Sequence, residues 1–229
     1  MEFSAMSRRL GLVSAATTAV LLTAYAVTLA VGLLSLGSPE QPIENPQFAI
    51  LEILIIVTMP AIVALMIAVH EWAPARLQAL SLAAVVFTSL LALLTSTMHF
   101  VILTLSRQPV FADEPWLPLI MTFRWPSVAY AVDILAWDVF FPLAMVFAAP
   151  VFGGSRLNLW IRWLMILSGV LAFAGLVGVA LDDMRWRNIG IVGYVPVFLV
   201  VVILLGSLFF RTEPCERGPS RRERGSASE

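Results

Sequence analysis

The sequence predicts an all-α integral membrane protein with six transmembrane helices. Hydrophobic residues make up 60% of the 229-residue chain, charged residues make up 13%, and the mean hydropathy is +0.92. Soluble domains usually carry about a quarter charged residues. In addition to this composition, the apolar residues fall into six separate runs, each long enough to cross a bilayer. Lipid-facing helices account for this excess of apolar residues, whereas a soluble core of this size does not require it.

The six predicted spans follow one another along the chain and are joined by polar connections. Each is at or above the roughly 20 residues that a spanning helix needs. The first run follows the basic residues of Ser7-Arg8-Arg9, as the apolar core of a secretory signal peptide follows basic residues. Such apolar cores, however, are only about 7–15 residues long. We therefore interpret the first run as a true span. The predicted spans cover residues 10–36, 48–70, 79–105, 127–152, 159–181 and 189–210.

Arginine placement predicts the orientation through the positive-inside rule. Ten of the 14 arginines, five of them within 211–224, fall on one side of the predicted spans, and four fall on the other. This ratio predicts that both termini lie in the cytoplasm. Residues 212–229, rich in Ser, Gly, Pro, Arg and Glu, are predicted to form a disordered cytoplasmic tail. The expected location is a cell membrane, namely the bacterial inner membrane.

The connection at 106–126 predicts an outer segment that lies on the membrane surface. Asp113 is predicted to cap a helix there, with Glu114 and Pro115 in its first turn. The residues that follow are mostly apolar or aromatic, and the segment is too short to span. The sequence therefore predicts an interfacial or re-entrant segment, with its tryptophans at the level of the lipid headgroups.

Four ionisable residues interrupt the apolar runs: Glu52, His99, Asp133 and Asp138. Ionisable residues inside a membrane are costly and usually serve a function. At about 1.5 Å rise per residue, the first three lie about 6–9 Å inside the outer ends of the second, third and fourth spans. Asp138 lies deeper, near the midplane. The sequence therefore predicts a shared site formed by the first three residues.

Helical phase predicts that the fourth span is surrounded by protein. Tyr130, Asp133 and Trp137 share one face of this helix, whereas Asp138 lies about 140° away from Asp133. The sequence leaves open whether Asp138 belongs to the site or only adds polarity to the packing. The candidate ligand-binding or proton-binding residues are Asp133, His99, Glu52, Asp138, Tyr130 and Trp137.

The leading functional hypothesis is a small transporter-like or ligand-binding protein with a polar cavity that opens outward between the second, third and fourth spans. One alternative is an intramembrane metal-dependent enzyme that uses Glu52, His99 and Asp133, since these ligand types suit Zn²⁺ or Mn²⁺. The other is a non-catalytic structural or partner-binding subunit. No cofactor is predicted. The expected partners are the lipid bilayer, a small molecule, proton or cation, and a second copy of the chain.

Composition excludes several other classes. All 14 basic residues are Arg, so a retinal Schiff base and a lysine nucleophile are excluded. The net charge of −1 does not resemble that of a nucleic-acid-binding protein. The charged turn at 181–187 is interpreted as solvated, with its two acids and two arginines paired among themselves or with Arg107 and Arg124.

Overall fold

The computed structural model describes residues 3–37, 43–111 and 113–213 as a bundle of six long helices, and no strand occurs among these residues. Each helix is long and apolar enough to cross a membrane, so the prediction of a six-helix, multi-pass membrane protein is confirmed. The predicted tail lies outside the described residues except for its first two. The helices are α1 (Ala5–Leu34), α2 (Gln47–Trp72), α3 (Ala75–Leu105), α4 (Val128–Val151), α5 (Arg156–Ala180) and α6 (Met184–Arg211).

The helices pack in chain order, and the bundle closes because α6 packs against α1. In the most apolar stretch of α4, 61% of the residues are buried, against 17% in α1. Aromatic rings join α4 to α6: the ring centroids of Phe141 and Phe198 are 5.1 Å apart and those of Trp137 and Tyr194 are 4.9 Å apart. The fourth span is therefore the most buried of the six, although Val128, Leu135 and Val146 remain exposed.

The starts of α1 and α6 differ most from the predicted boundaries: α1 begins at Ala5 rather than at residue 10, and α6 begins at Met184 rather than at residue 189. The first turn of α6 is a 3₁₀ turn that Asp183 caps by accepting a hydrogen bond from the backbone amide of Arg185 at 3.1 Å. Asp and other short polar residues favour this capping position. As a result Arg187 belongs to the helix, and only 6% of its surface is exposed.

Wider π-helical turns interrupt α4 at Leu135–Phe140 and α6 at Gly193–Val197. Pro142 follows the first turn closely and Pro196 lies within the second. Proline has no amide hydrogen, so the carbonyl four residues before it loses its α-helical partner and the local hydrogen-bond pattern can widen. The prolines therefore give a local reason for both irregular turns.

The connection between α3 and α4 differs from the single capped helix that the sequence predicts. Its α-helical part is one turn, Leu117–Ile120, and the residue before that turn is Trp116, which makes no side-chain capping bond. Asp113 is therefore not the cap. The aromatic residues that follow bind the bundle instead: Phe123 stacks on His99, with ring centroids 4.6 Å apart. These tertiary contacts override the local helix preference.

Gly193 allows α6 to approach α5 closely. A methyl group at this position would lie 2.6 Å from the carbonyl oxygen of Ser168 and 3.0 Å from the amide nitrogen of Ala172. The Ser168 hydroxyl also donates a hydrogen bond to the Gly193 carbonyl at 2.9 Å. A side chain at 193 would therefore push the two helices apart.

Gly193→Ala is expected to destabilise the protein by about 1–3 kcal/mol, the usual cost of overpacking a tight contact. The measurement is the thermal unfolding midpoint of the purified protein in detergent. Gly206→Ala is the matched control on the same helix, because its methyl group would lie 3.4 Å from the Cβ of Ala15, an ordinary contact. Equal midpoints for the two variants would contradict the close approach at Gly193.

Candidate functional site

Among the described residues, five ionisable side chains from four helices form one connected group, which we call the ionic cluster. Nδ1 of His99 on α3 lies 2.7 Å from Oε2 of Glu52 on α2. Nε2 of the same ring lies 3.7 Å from Oδ1 of Asp133 on α4. From α6, Nη2 of Arg187 donates to Oδ2 of Asp133 at 2.7 Å. Nε of Arg187 donates to Oδ2 of Asp138 at 3.0 Å.

The ionic cluster is almost completely buried. The exposed fraction of its members ranges from 0% for Asp138 to 9% for Asp133. Burial removes the hydration of a charge, and only close partners of opposite sign offset that loss. The cluster therefore holds its charges by mutual pairing, in a conformation that is occluded rather than open.

The structure brings the predicted trio together. Glu52 and Asp133 contact opposite nitrogens of the His99 ring, so His99 lies between them. An imidazole that faces an acceptor at each nitrogen can donate from both, as the imidazolium form requires. The shared depth of these residues, estimated from helix rise, thus corresponds to direct contact. Their role as a binding site remains a proposal.

The structure also brings Asp138 close to this trio. In a regular α-helix five positions would place Asp138 about 140° from Asp133. The π-helical turn at Leu135–Phe140 fits more residues into each turn and so reduces this angle. Arg187 then bonds to both carboxylates at once. Asp138 is a member of the ionic cluster.

Arg187 is the site residue that the sequence analysis missed, because it was assigned to a solvated turn. The excess of negative charge in the predicted site was a sign that a further cationic residue such as Arg187 was needed. Three buried carboxyl groups were matched with a single histidine, and buried charges need partners. Arg187 provides the second cation.

The rest of the charged turn is solvated, as predicted. Nη2 of Arg185 lies 2.9 Å from Oδ2 of Asp183, and the Arg185 side chain is 88% exposed. Hydrogen bonds from the side chain and backbone of Arg185 lower the pKa of Asp183. Such an exposed pair adds little to stability. Arg107, one of the partners suggested for this turn, lies over the ring of Phe48 at 4.1 Å instead.

Of the two aromatic residues predicted to line the site, Tyr130 contacts the ionic cluster directly. The guanidinium carbon of Arg187 lies 4.5 Å from the centre of the Tyr130 ring, within the range of a cation–π interaction. Trp137 is buried and packs against Tyr194 and Phe141. Tyr130 is therefore a wall of the cluster, and Trp137 belongs to the aromatic packing between α4 and α6.

The connection between α3 and α4 covers one end of the ionic cluster. Phe123 stacks on the His99 ring. Two residues further on, Nε1 of Trp125 donates a 2.6 Å hydrogen bond to Oδ1 of Asp182, in the turn between α5 and α6. Asp182 has a φ of 53°, a left-handed conformation that Asp adopts more readily than most residues. This bond joins the connection between α3 and α4 to the turn between α5 and α6.

An open groove of about 550 Å³ lies away from the ionic cluster, between α1 and α6. Its walls are mostly apolar, with Arg211 at one end. The predicted cavity between the second, third and fourth spans has a different position, where the described side chains are bonded to one another. An open site there requires a conformational change.

The geometry gives no support to the metal-site alternative. Among the described residues, no set of His, Cys, Asp and Glu side chains is arranged to hold a metal ion. Both nitrogens of His99 face carboxylates, and Asp133 also accepts a bond from Arg187. A metal ion bound by Glu52, His99 and Asp133 would have to displace these contacts.

Comparison of the chain with protein-family models, with curated proteins and with solved structures found no match. The chemistry of the ionic cluster is therefore the basis for a functional proposal. Its carboxyl groups are of a type that can accept a proton or a cation, and each contacts a cationic side chain in this structure. The cluster joins α2, α3, α4 and α6.

Proposed function

We propose that the protein is a small transporter-like or ligand-binding membrane protein whose binding site is the ionic cluster. One observation carries the proposal: Asp133 is shared between His99 on α3 and Arg187 on α6. His99 faces Oδ1 and Arg187 bonds to Oδ2, so a ligand that takes over one carboxylate oxygen displaces the partner at that oxygen. Binding at Asp133 would therefore be coupled to movement of the helices that hold the cluster.

The ligand that suits this site is a small cation. The ionic cluster has three carboxyl groups and two cationic side chains. One further positive charge would therefore balance its charge. The Tyr130 ring already stabilises the Arg187 guanidinium, and aromatic rings of this kind also favour organic cations. In this structure, Arg187 and His99 themselves contact the carboxyl groups, so these groups are paired without a ligand.

Access to the site is through the end of the bundle that the 106–126 connection covers. Release of Trp125 from Asp182 would free this connection, and its withdrawal would take Phe123 off His99. The arginine distribution predicts that both termini lie in the cytoplasm, and with that orientation the covered end is the outer one. The proposed location is the bacterial inner membrane, and reporter fusions at each terminus test the orientation.

Asp133→Asn is expected to reduce cation flux by about tenfold or more, because loss of a buried charged contact usually costs at least about 2 kcal/mol of binding. The measurement is uptake of ethidium, a fluorescent organic cation, into proteoliposomes that contain the full-length protein. Asp183→Asn is the control, since it removes the charge of a partly exposed acid outside the ionic cluster and keeps a side chain that can cap α6. Ethidium flux that is unchanged in Asp133→Asn would overturn the assignment.

A structural role is the second candidate function, and the burial and pairing of the ionic cluster across four helices support it. Asn at position 133 can still accept a hydrogen bond from Arg187 but removes the charge. A purely structural cluster predicts that Asp133→Asn lowers the yield of folded protein and that flux per folded molecule is unchanged. A binding site predicts that flux per folded molecule falls, whatever happens to the yield. Size-exclusion chromatography combined with flux per folded molecule separates the two.

A further inference from the structure

Oδ1 of Asp138 has no hydrogen-bond partner among the described residues. The residue is completely buried, and its other oxygen, Oδ2, accepts the bond from Nε of Arg187. An ionised oxygen that is buried without a donor carries a large desolvation penalty. A carboxylic acid protonated at Oδ1 avoids this penalty, because the group is then neutral and its O–H can donate.

Gly175 on α5 and Gly190 on α6 close around this oxygen. A methyl group on Gly175 would lie 2.9 Å from Oδ1, and one on Gly190 would lie 2.7 Å from it. The same two methyl positions would lie 3.0 Å and 3.5 Å from the carbonyl oxygen of Ala172. Both methyl positions are therefore close to Oδ1 and to a backbone carbonyl oxygen. The glycines bring two helix backbones against the acid and leave it enclosed.

The charged and titratable groups around Asp138 come from three helices. From α6 they are Arg187 and Tyr194, from α4 itself Asp133, and from α3 His99, which reaches Asp138 through Asp133. From α5 the neighbours are the Gly175 and Ala172 backbone. One proton on Asp138 makes the ionic cluster electrically neutral when His99 and Arg187 are both charged.

We propose that the proton is the coupling ion of this site and that Oδ1 of Asp138 carries it. This inference rests on the proposed function, since it assigns the ion that exchanges with the cationic ligand. When the Oδ1–H bond breaks, the proton leaves to water and Asp138 becomes an anion that holds Arg187 more strongly. Asp133 is then free to bind the cation. One positive charge replaces another, so the cluster stays neutral with either occupant.

Infrared difference spectroscopy of the full-length protein in lipid vesicles tests the proton directly, with no ligand present. A spectrum at neutral pH minus one at alkaline pH is expected to show the C=O stretch of a protonated carboxylic acid. This band should be absent in Asp138→Asn and retained in Asp183→Asn. Absence of the band in the unsubstituted protein, or its persistence in Asp138→Asn, would overturn the proposal.

A labelling experiment separates aspartate from glutamate without a substitution that could affect folding. Carbon-13 labelling of aspartate alone should shift the band in the unsubstituted chain. A band that does not shift belongs to a glutamate such as Glu52, and this outcome also overturns the assignment to Asp138.

The coupling between proton and cation is tested by ethidium binding at different pH values. The ethidium affinity of the unsubstituted protein is expected to rise by about tenfold for each pH unit while Asp138 is protonated, because one proton competes with one cation. Asp138→Asn imitates the protonated acid and should bind ethidium weakly at every pH. A pH-independent affinity in the unsubstituted protein would overturn the exchange. Failure to bind ethidium at any pH contradicts the proposed function and leaves the infrared result standing.

Discussion

Arg187→Gln is expected to lower the free energy of unfolding by about 3–5 kcal/mol, the usual effect of removing one partner from a buried ion pair. The substitution deletes the cation that bonds to Asp133 at 2.7 Å and to Asp138 at 3.0 Å. Asp133 then keeps His99 as a cationic neighbour, whereas Asp138 keeps no cationic contact among the described residues. The measurement is chemical or thermal unfolding of the purified protein in detergent.

The control for this prediction is Arg185→Gln, two positions earlier on the same turn. Arg185 is 88% exposed and pairs with Asp183 at the surface, so its replacement should leave the unfolding midpoint unchanged. Adding Asp133→Asn to Arg187→Gln should recover part of the lost stability, because it removes the carboxylate charge that bonded to Arg187. Equal stability of Arg187→Gln and Arg185→Gln would show that Arg187 is not held in the cluster.

His99→Gln is expected to destabilise the protein by about 3 kcal/mol, since it removes the cation between Glu52 and Asp133. Glu52→Gln should have an effect of similar direction. Because the two residues contact each other at 2.7 Å, the double variant should lose less than the two single variants together. The expected coupling energy is about 0.5–3 kcal/mol. A double-mutant cycle of unfolding free energies measures it.

His70 provides the comparison for this cycle, because it is the other histidine of the chain. Its Nδ1 lies 2.8 Å from the hydroxyl of Ser81, a neutral partner. His70→Gln is therefore expected to cost about 1 kcal/mol, the net value of an ordinary hydrogen bond. Additive effects of the Glu52 and His99 variants would contradict the ion pair in the ionic cluster.

The fold was predictable because the bilayer limits what a chain can do. Every backbone polar group inside lipid must be bonded internally, so an apolar run of sufficient length becomes a helix. The same regularity explains why the contact among Glu52, His99 and Asp133 could be anticipated. A fixed rise per residue lets the depth of each residue in the membrane be estimated, and these three residues have similar depths on successive antiparallel helices. Buried ionisable groups at the same depth can pair with one another.

The remaining part of the site depended on departures from helical regularity that the sequence does not specify. Pro142 signals that α4 is irregular, but it does not say that the turn before it widens enough to bring Asp138 toward Asp133. Arg187 lies three residues after Met184, and hydropathy assigns such a residue to a loop. Its burial follows from the carboxyl groups that it meets on another helix.

The 106–126 connection shows the same limit in another form. The sequence around Asp113 has the features of a helix start, yet the aromatic residues beyond it make contacts with the bundle instead. Phe123 stacks on the His99 ring, and Trp125 donates a hydrogen bond to Asp182, 57 residues later in the chain. Local capping preferences of about 1 kcal/mol are easily outweighed by contacts of this kind.

Equilibrium binding of ethidium to the purified protein tests the central claim most directly, namely that Asp133 in the ionic cluster binds a small cation. Fluorescence titrations would compare the unsubstituted protein, Asp133→Asn and Asp183→Asn, each shown to be folded by circular dichroism. The account predicts saturable binding in the unsubstituted protein and in Asp183→Asn, and loss of that binding in Asp133→Asn. The same Kd in all three proteins would contradict it.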